Sequence, residues 1–166
     1  MPDAVPTLID AELAAFMESG ISLNLASCSR TLAPSVARAI GCRVTGGGRL
    51  VRLLVSQQQA AKVLGHVAET GRVAVVISRP STHRTVQLKA DAACIEPACA
   101  DDLAAVHRYL DSFPAELAPM HYDPAMIRAF LMCPDEDVRA VVFTPCSAFS
   151  QTPGSGAGRE LKGGAP

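Results

Sequence analysis

The sequence predicts a mainly β fold with helices (α+β): six antiparallel strands closed or nearly closed into a barrel, with helices at its periphery. Three observations predict it. Six short runs rich in β-branched and apolar residues recur along the chain, most of them joined by short hairpin-like connectors. A single helical pattern separates the third and fourth runs, and another precedes the last. No strand–helix–strand alternation dominates, which disfavours a doubly wound parallel sheet. Closure would also remove exposed sheet edges.

Composition bounds the rest. With 166 residues, 49% hydrophobic and 19% charged, the chain suits one globular domain with a sizeable core. A net charge of -1 gives no bulk attraction to nucleic acid or to an anionic membrane. No apolar run approaches the roughly 20 residues that span a bilayer. Leu25-Ala26-Ser27-Cys28 has the form of a lipoprotein cleavage site, but Asp3, Asp10, Glu12 and Glu18 precede it and no Lys or Arg does. A cytoplasmic protein is therefore expected. Six cysteines without a C-x-x-C pair, and four scattered histidines, lack metal-ligand spacing, so reduced buried thiols and no metal are expected.

In chain order, Ile9, Leu13, Phe16 and Met17 form a helical stripe that starts near Pro6 or Thr7 and ends at Gly20. Ile21, Leu23 and Leu25 alternate with smaller residues as a first strand. Pro34 to Val44 reads as a second, with a bulge or weak point at Gly41. Gly46-Gly47-Gly48 marks a hairpin turn, because glycine accepts the positive φ of tight turns. It is no phosphate loop, since it joins two strands and lacks the Lys. Leu50 to Val55 returns as the third strand, and Ser56 caps a helix through His66 and Glu69, with Gly71 as its stop.

Val73 to Ile77 is a fourth, buried strand, and Pro80 lies in the polar connector after it. The fifth begins with Val86 and Leu88 facing one way and Thr85, Gln87 and Lys89 the other, and runs on to Pro97. Donors crowd this loop and strand face, a wall suited to an anionic ligand with polar edges. Ser56 with Gln57, Gln58 and Gln59 sets further donors at a helix start, where an anion is favoured. A helix follows with Asp101 and Asp102 in its first turn and Leu103, Val106, His107 and Leu110 on one face. Pro114, Pro119 and Pro124 divide the next region, Asp123-Pro124 opens a helix to Leu131 with Ile127 and Phe130 buried, and Val138 to Phe143 is the last strand. The domain spans residues 1–150, and 151–166 form a Gly/Pro-rich tail, mobile beyond Arg159.

Four stretches, in this order of elements, carry a resemblance: Pro34 to Val44, Ser56 at its junction, Ser78 to Lys89, and Gln151-Thr152-Pro153-Gly154. Together they resemble the pyridoxamine 5′-phosphate oxidase-related, FMN-binding split-barrel family. The resemblance implies a six-stranded split barrel that forms a homodimer, with FMN between the protomers. The family's Arg and Lys on the second strand fall on Ala37 and Cys42, with Arg38 and Arg43 each one residue away. Ser56 matches the family's Ser, while Gln57-Gln58 stands where its basic pair would be. Thr85 takes the place of a flavin-contacting Gln, with Gln87 two residues on.

Two functions follow from the resemblance. In one, the chain is a flavin-dependent oxidoreductase on an unidentified small molecule: Arg38, Arg43, Arg84, Ser56 and Gln57 handle the phosphate, Thr85 and Gln87 contact the ring, and the cofactor carries the redox chemistry. No residue takes a catalytic role by this reading; His83 or Arg79 could face the substrate, although His83 also reads as a solvated loop residue. In the other, a dimer of the same fold binds flavin, haem or another planar ligand for sensing or storage and catalyses nothing.

Overall fold

Two successive backbone amides serve two different sheets. Ala39 N–H donates to the Leu23 carbonyl at 2.9 Å, and Ile40 N–H to the Leu54 carbonyl at 2.8 Å. This is the seam of the barrel in the computed structural model, which describes residues 7–162. The second strand anticipated from sequence is thereby split into β2 (Pro34–Arg38) and β3 (Gly41–Thr45). The break falls one residue before Gly41, where the buried Ala39 and Ile40 turn the corner.

The fifth strand divides in the same way, into β6 (Thr85–Ala90) and β7 (Cys94–Pro97). With β1 (Ser22–Cys28), β4 (Leu50–Ser56), β5 (Val73–Ser78), β8 (Val138–Phe143) and β9 (Ser147–Ser150), nine strands replace the six anticipated. They form a five-stranded sheet ordered β2-β1-β5-β6-β9 and a four-stranded sheet ordered β3-β4-β8-β7, every neighbouring pair antiparallel. Strands that bend from one sheet into the other close the corners of such an architecture. Alternation decides the faces: Leu23, Leu25, Val75, Ile77, Val86 and Leu88 point inward to the shared core.

The Gly46–Gly48 turn pairs Thr45 with Leu50 and so fixes the β3–β4 register. Gly48 has φ +87°, and a Cβ there would stand 2.2 Å from the Ile9 carbonyl oxygen, so this position admits only glycine.

Four helices surround the sheets. The first helix starts later than the anticipated Thr7: Asp10 caps α1 (Ala11–Met17) by accepting from Leu13 N–H at 2.8 Å; Pro6, the other anticipated start, lies outside the described residues. A turn from Ser56 precedes α2 (Ala61–Thr70), whose Val63, Leu64 and Val67 are buried as anticipated. The long α3 (Ala100–Leu117) runs through Pro114 instead of ending there, and buries Asp102, Ala105, Val106, Tyr109, Phe113 and Leu117. Its buried face is thus rotated from the one anticipated, and His107 lies outside with Asp135 at 3.0 Å. In α4 (Pro124–Leu131) Leu131 is buried, Ile127 is half-buried and Phe130 is exposed.

Past Gln151 the chain folds back. Phe149 bridges Glu160, Gly158 N–H donates to Ser150 O at 2.7 Å, and Leu161 N–H donates to Ala148 O at 2.8 Å. Glu160 and Leu161, in the stretch beyond Arg159, are thus set beside β9; residues 163–166 lie outside the described residues. Of the six free cysteines only Cys42 is buried, while Cys94, Cys99 and Cys146 are exposed. Burial pushes the Cys42 thiol well above its ordinary value, with the nearby Glu18 charge adding to it.

Candidate functional site

The donors gathered at Ser56 already hold a carboxylate. Ser56 closes β4, pairs with Val138 and is 3% exposed. Its hydroxyl donates to one carboxylate oxygen of Asp137, and Gln58 N–H donates to the other at 3.1 Å. Gln57 N–H donates to the Asp137 main-chain carbonyl at 2.8 Å. The Ser56 oxygen also accepts from Gln59 N–H at 3.1 Å, which closes the turn before α2; the helix itself starts at Ala61 with Ala60 at its N-cap and no side-chain cap, so the anticipated Ser56 cap is not formed. Asp137 thus occupies the donors of this turn, and its negative charge opposes a second one there. A groove of about 680 Å³ lies alongside, lined by Gln57, Gln58, Leu64, Ile95 and Arg139 among others.

Sequence reading missed Asp137, yet a signal existed. Once the last strand pairs beside β4, the residue preceding Val138 must come to the end of that strand, where Ser56 lies.

Arg43 is consumed as well. The Gly46–Gly48 hairpin sets Arg43 directly opposite Arg52, and like charges facing across a ladder repel. Asp102, fully buried in the first turn of α3, resolves this: it meets Arg43 Nη1 at 2.8 Å and Arg52 Nη2 at 2.8 Å. Asp101 and Glu96 pair with the outer sides of the two guanidinium groups. Burial alone would raise the Asp102 carboxyl, but hydrogen bonds from Arg52, the Cys99 amide and Arg43 outweigh it and hold it well below the usual carboxylate range. The cluster fastens α3 to the four-stranded sheet.

Thr85 and Gln87 stand on the outer face of the five-stranded sheet, in adjacent cross-strand rows. One row runs Ser22, Ser78, Thr85; the other runs Arg38, Asn24, Val76, Gln87, Phe149. The C-terminal Gln151-Thr152 comes to this wall: Gln151 N–H donates to Thr85 O at 2.8 Å, and Thr85 N–H to the Thr152 hydroxyl at 3.0 Å. Two of the stretches that carry the family resemblance thus meet in space. The Thr85 hydroxyl is shared with Ser78 at 2.7 Å and Gln87 Oε1 accepts from Gln151 Nε2 at 3.4 Å. Arg84 points elsewhere, over the Phe16 ring at 4.4 Å and to Glu12 at 2.9 Å, where it ties the β5–β6 loop to α1. Arg79 turns to α1 too, reaching Ser19 at 2.8 Å, and His83 is an exposed loop residue at φ 60°.

Arg38 is different. At the β2 end of its row it enters a cavity of about 320 Å³ beneath α3 and α4, with walls that include Phe113, Leu117, Met120 and Ile127. Its guanidinium lies 5.2 Å from the Phe113 ring centre. Within one protomer, then, Ser56 and Gln57, Arg43, the Thr85–Gln87 wall with Arg84 at its loop, and Arg38 are four separate places. Among the described residues no group of three His, Cys, Asp or Glu is arranged to hold a metal, and no helix is long and apolar enough to cross a membrane.

Comparison with solved structures decides the fold. HupZ of Group A Streptococcus superposes with a TM-score of 0.55 at 9% identity, over 90% of this chain and 99% of that one. A candidate pyridoxamine 5′-phosphate oxidase from Lactobacillus delbrueckii gives 0.51 at 14% identity, over 86% and 95%. The fold is the pyridoxamine 5′-phosphate oxidase-like split barrel. An F420 reductase shares it, with a TM-score of 0.50 at 16% identity over 81% and 93%. No protein-family profile and no curated protein matches the sequence.

The FMN that the resemblance implies can be tested against these places. The polar wall at Thr85 and Gln87 leaves a sheet face open for a ring. The phosphate does not fit at the other predicted donors: Asp137 fills the seat at Ser56 and Gln58, Asp102 and Asp101 neutralise Arg43, and Glu12 pairs with Arg84, which leaves Arg38 without an acid partner among the described residues.

Proposed function

We propose that this chain is a dimeric split-barrel protein that binds a planar small molecule, of the flavin kind or haem, and holds it without a phosphate grip and without catalysis. The supporting observation is the outer face of the five-stranded sheet. Its central strands present Ser22, Asn24, Ala26, Ala74, Val76 and Ser78, all half-buried and none charged, and no helix makes more than a passing contact with β5 or β6. Such a face is suited to a second protomer with a flat ligand between the two, because little charge has to be desolvated. Thr85, Gln87 and Gln151 supply the polar edge.

Binding is favoured over turnover because the polar groups of this wall are engaged with one another: Thr85 Oγ1 lies between Ser78 and the His83 carbonyl. The second reading, a flavin-dependent oxidoreductase, draws on the fold shared with the F420 reductase.

The visible spectrum of the purified protein separates these. A flavin or Soret band that does not bleach with a nicotinamide donor supports binding; flavin that bleaches and reoxidises supports the reductase. A colourless protein unaffected by added FMN, riboflavin or haem contradicts both. Light scattering tests the pairing independently, and a monomer at micromolar concentration contradicts it.

A further inference from the structure

The cavity under α3 and α4 holds a cation without a counter-ion. Arg38 makes no hydrogen bond and no ion pair with any described residue, and its Nη1 is buried without a partner. Beside it Tyr109, 3% exposed on the facing side of α3, turns a buried hydroxyl toward Arg38 without a well-formed hydrogen bond between them. Phe113 joins the two: Arg38 lies over its ring, and Tyr109 stacks on it with centroids 5.3 Å apart and planes 9° apart. Burial pushes the Tyr109 phenol well up, with the neighbouring Arg38 charge working the other way, so the phenol stays a neutral donor near neutral pH.

Buried donors in native proteins are satisfied as a rule, and a guanidinium fork matches a carboxylate in geometry and charge. Most of the remaining wall is apolar, Phe113, Leu117, Met120, Ile127 and Leu131, with Ser22 and Tyr122 as its other polar side chains. At about 320 Å³ the cavity is at the small end of ligand sites. One cation among apolar walls can balance a single negative charge and leaves a dianionic phosphate half-neutralised.

We propose that this cavity is a binding site for a small apolar monocarboxylate, with the carboxylate on Arg38 and the hydrocarbon between α3 and α4. The cavity opens under the helices at the edge of the sheet face, with Ser22 common to both, and not on its middle.

Titration of the full chain with octanoate and with octanol, followed by backbone amide shifts, tests it. Octanoate should bind about tenfold or more tightly than octanol, the size of one charge-assisted contact, with the largest shifts at Phe113, Leu117 and Ile127. Arg38→Met should reduce octanoate to the affinity of octanol, and Arg38→Lys should restore only part of the difference. Equal affinity of the wild-type protein for the two probes, no octanoate binding at millimolar concentration, shifts confined to other regions, or undiminished preference in Arg38→Met would each overturn the site. Should Arg38→Met not fold, the comparison of the two probes on the wild-type protein decides alone.

Discussion

The Asp137 carboxylate and the Ser56 hydroxyl are hydrogen-bonded across the junction between β4 and the helix that follows it, 81 residues apart in sequence. A position that the split-barrel resemblance reserves for an external phosphate is met here by a group of the chain itself.

If Asp137 is a structural anion, removing it costs stability. Asp137→Ala leaves the Ser56 hydroxyl and the Gln58 amide without their acceptor, and should destabilise the protein by about 1–3 kcal/mol in urea unfolding. A change within the few tenths typical of surface substitutions would show that the contact is incidental.

Asp102 makes the larger contribution. Asp102→Asn strips two half-buried guanidinium groups of their shared, fully buried partner and should cost about 3 kcal/mol. Because the folded-state carboxyl is held below its unfolded value of about 3.9, its stabilisation is complete above that pH and fades as pH falls below it. Urea midpoints of the wild-type protein should therefore drop below about pH 4 more steeply than those of Asp102→Asn. Parallel acid profiles would contradict the assignment.

The turn between β3 and β4 offers a paired steric test. A Cβ at Gly47 meets nothing within 4 Å, whereas at Gly48 it would collide with the Ile9 carbonyl at 2.2 Å, although both have positive φ. Gly47→Ala should lose only the cost of a left-handed alanine, about 1–2 kcal/mol, and Gly48→Ala clearly more. Equal thermal shifts in the two variants would mean that the residue 9 carbonyl does not press on the turn.

Much of the fold was legible from local pattern. Alternation placed Leu23, Leu25, Val86 and Leu88 inward, and the glycine triplet fixed the hairpin. The two split strands escaped notice because Ala39–Ile40 turns its corner without a proline or a charge, and a lone Asp91 is the one mark of the corner at Asp91–Ala93. The face of α3 was misjudged because Leu103 and Leu110 look more apolar than Asp102, and only the facing arginines make burial of that acid favourable. The arrangement Arg43–Asp102–Arg52 was nonetheless within reach: a hairpin centred on Gly47 and Gly48 places the two arginines opposite each other, and a carboxylate has to answer them. The site was less legible, because whether Arg38 or Arg43 is free depends on acids 59 residues away in sequence.

Comparative titration with FMN and riboflavin, which differ only in the phosphate, tests the central claim most directly. With the phosphate seat filled by Asp137, the two should bind with affinities within about threefold of each other, whatever the absolute value. A preference for FMN of about a hundredfold, lost in Ser56→Ala, would show that the phosphate takes the seat after all.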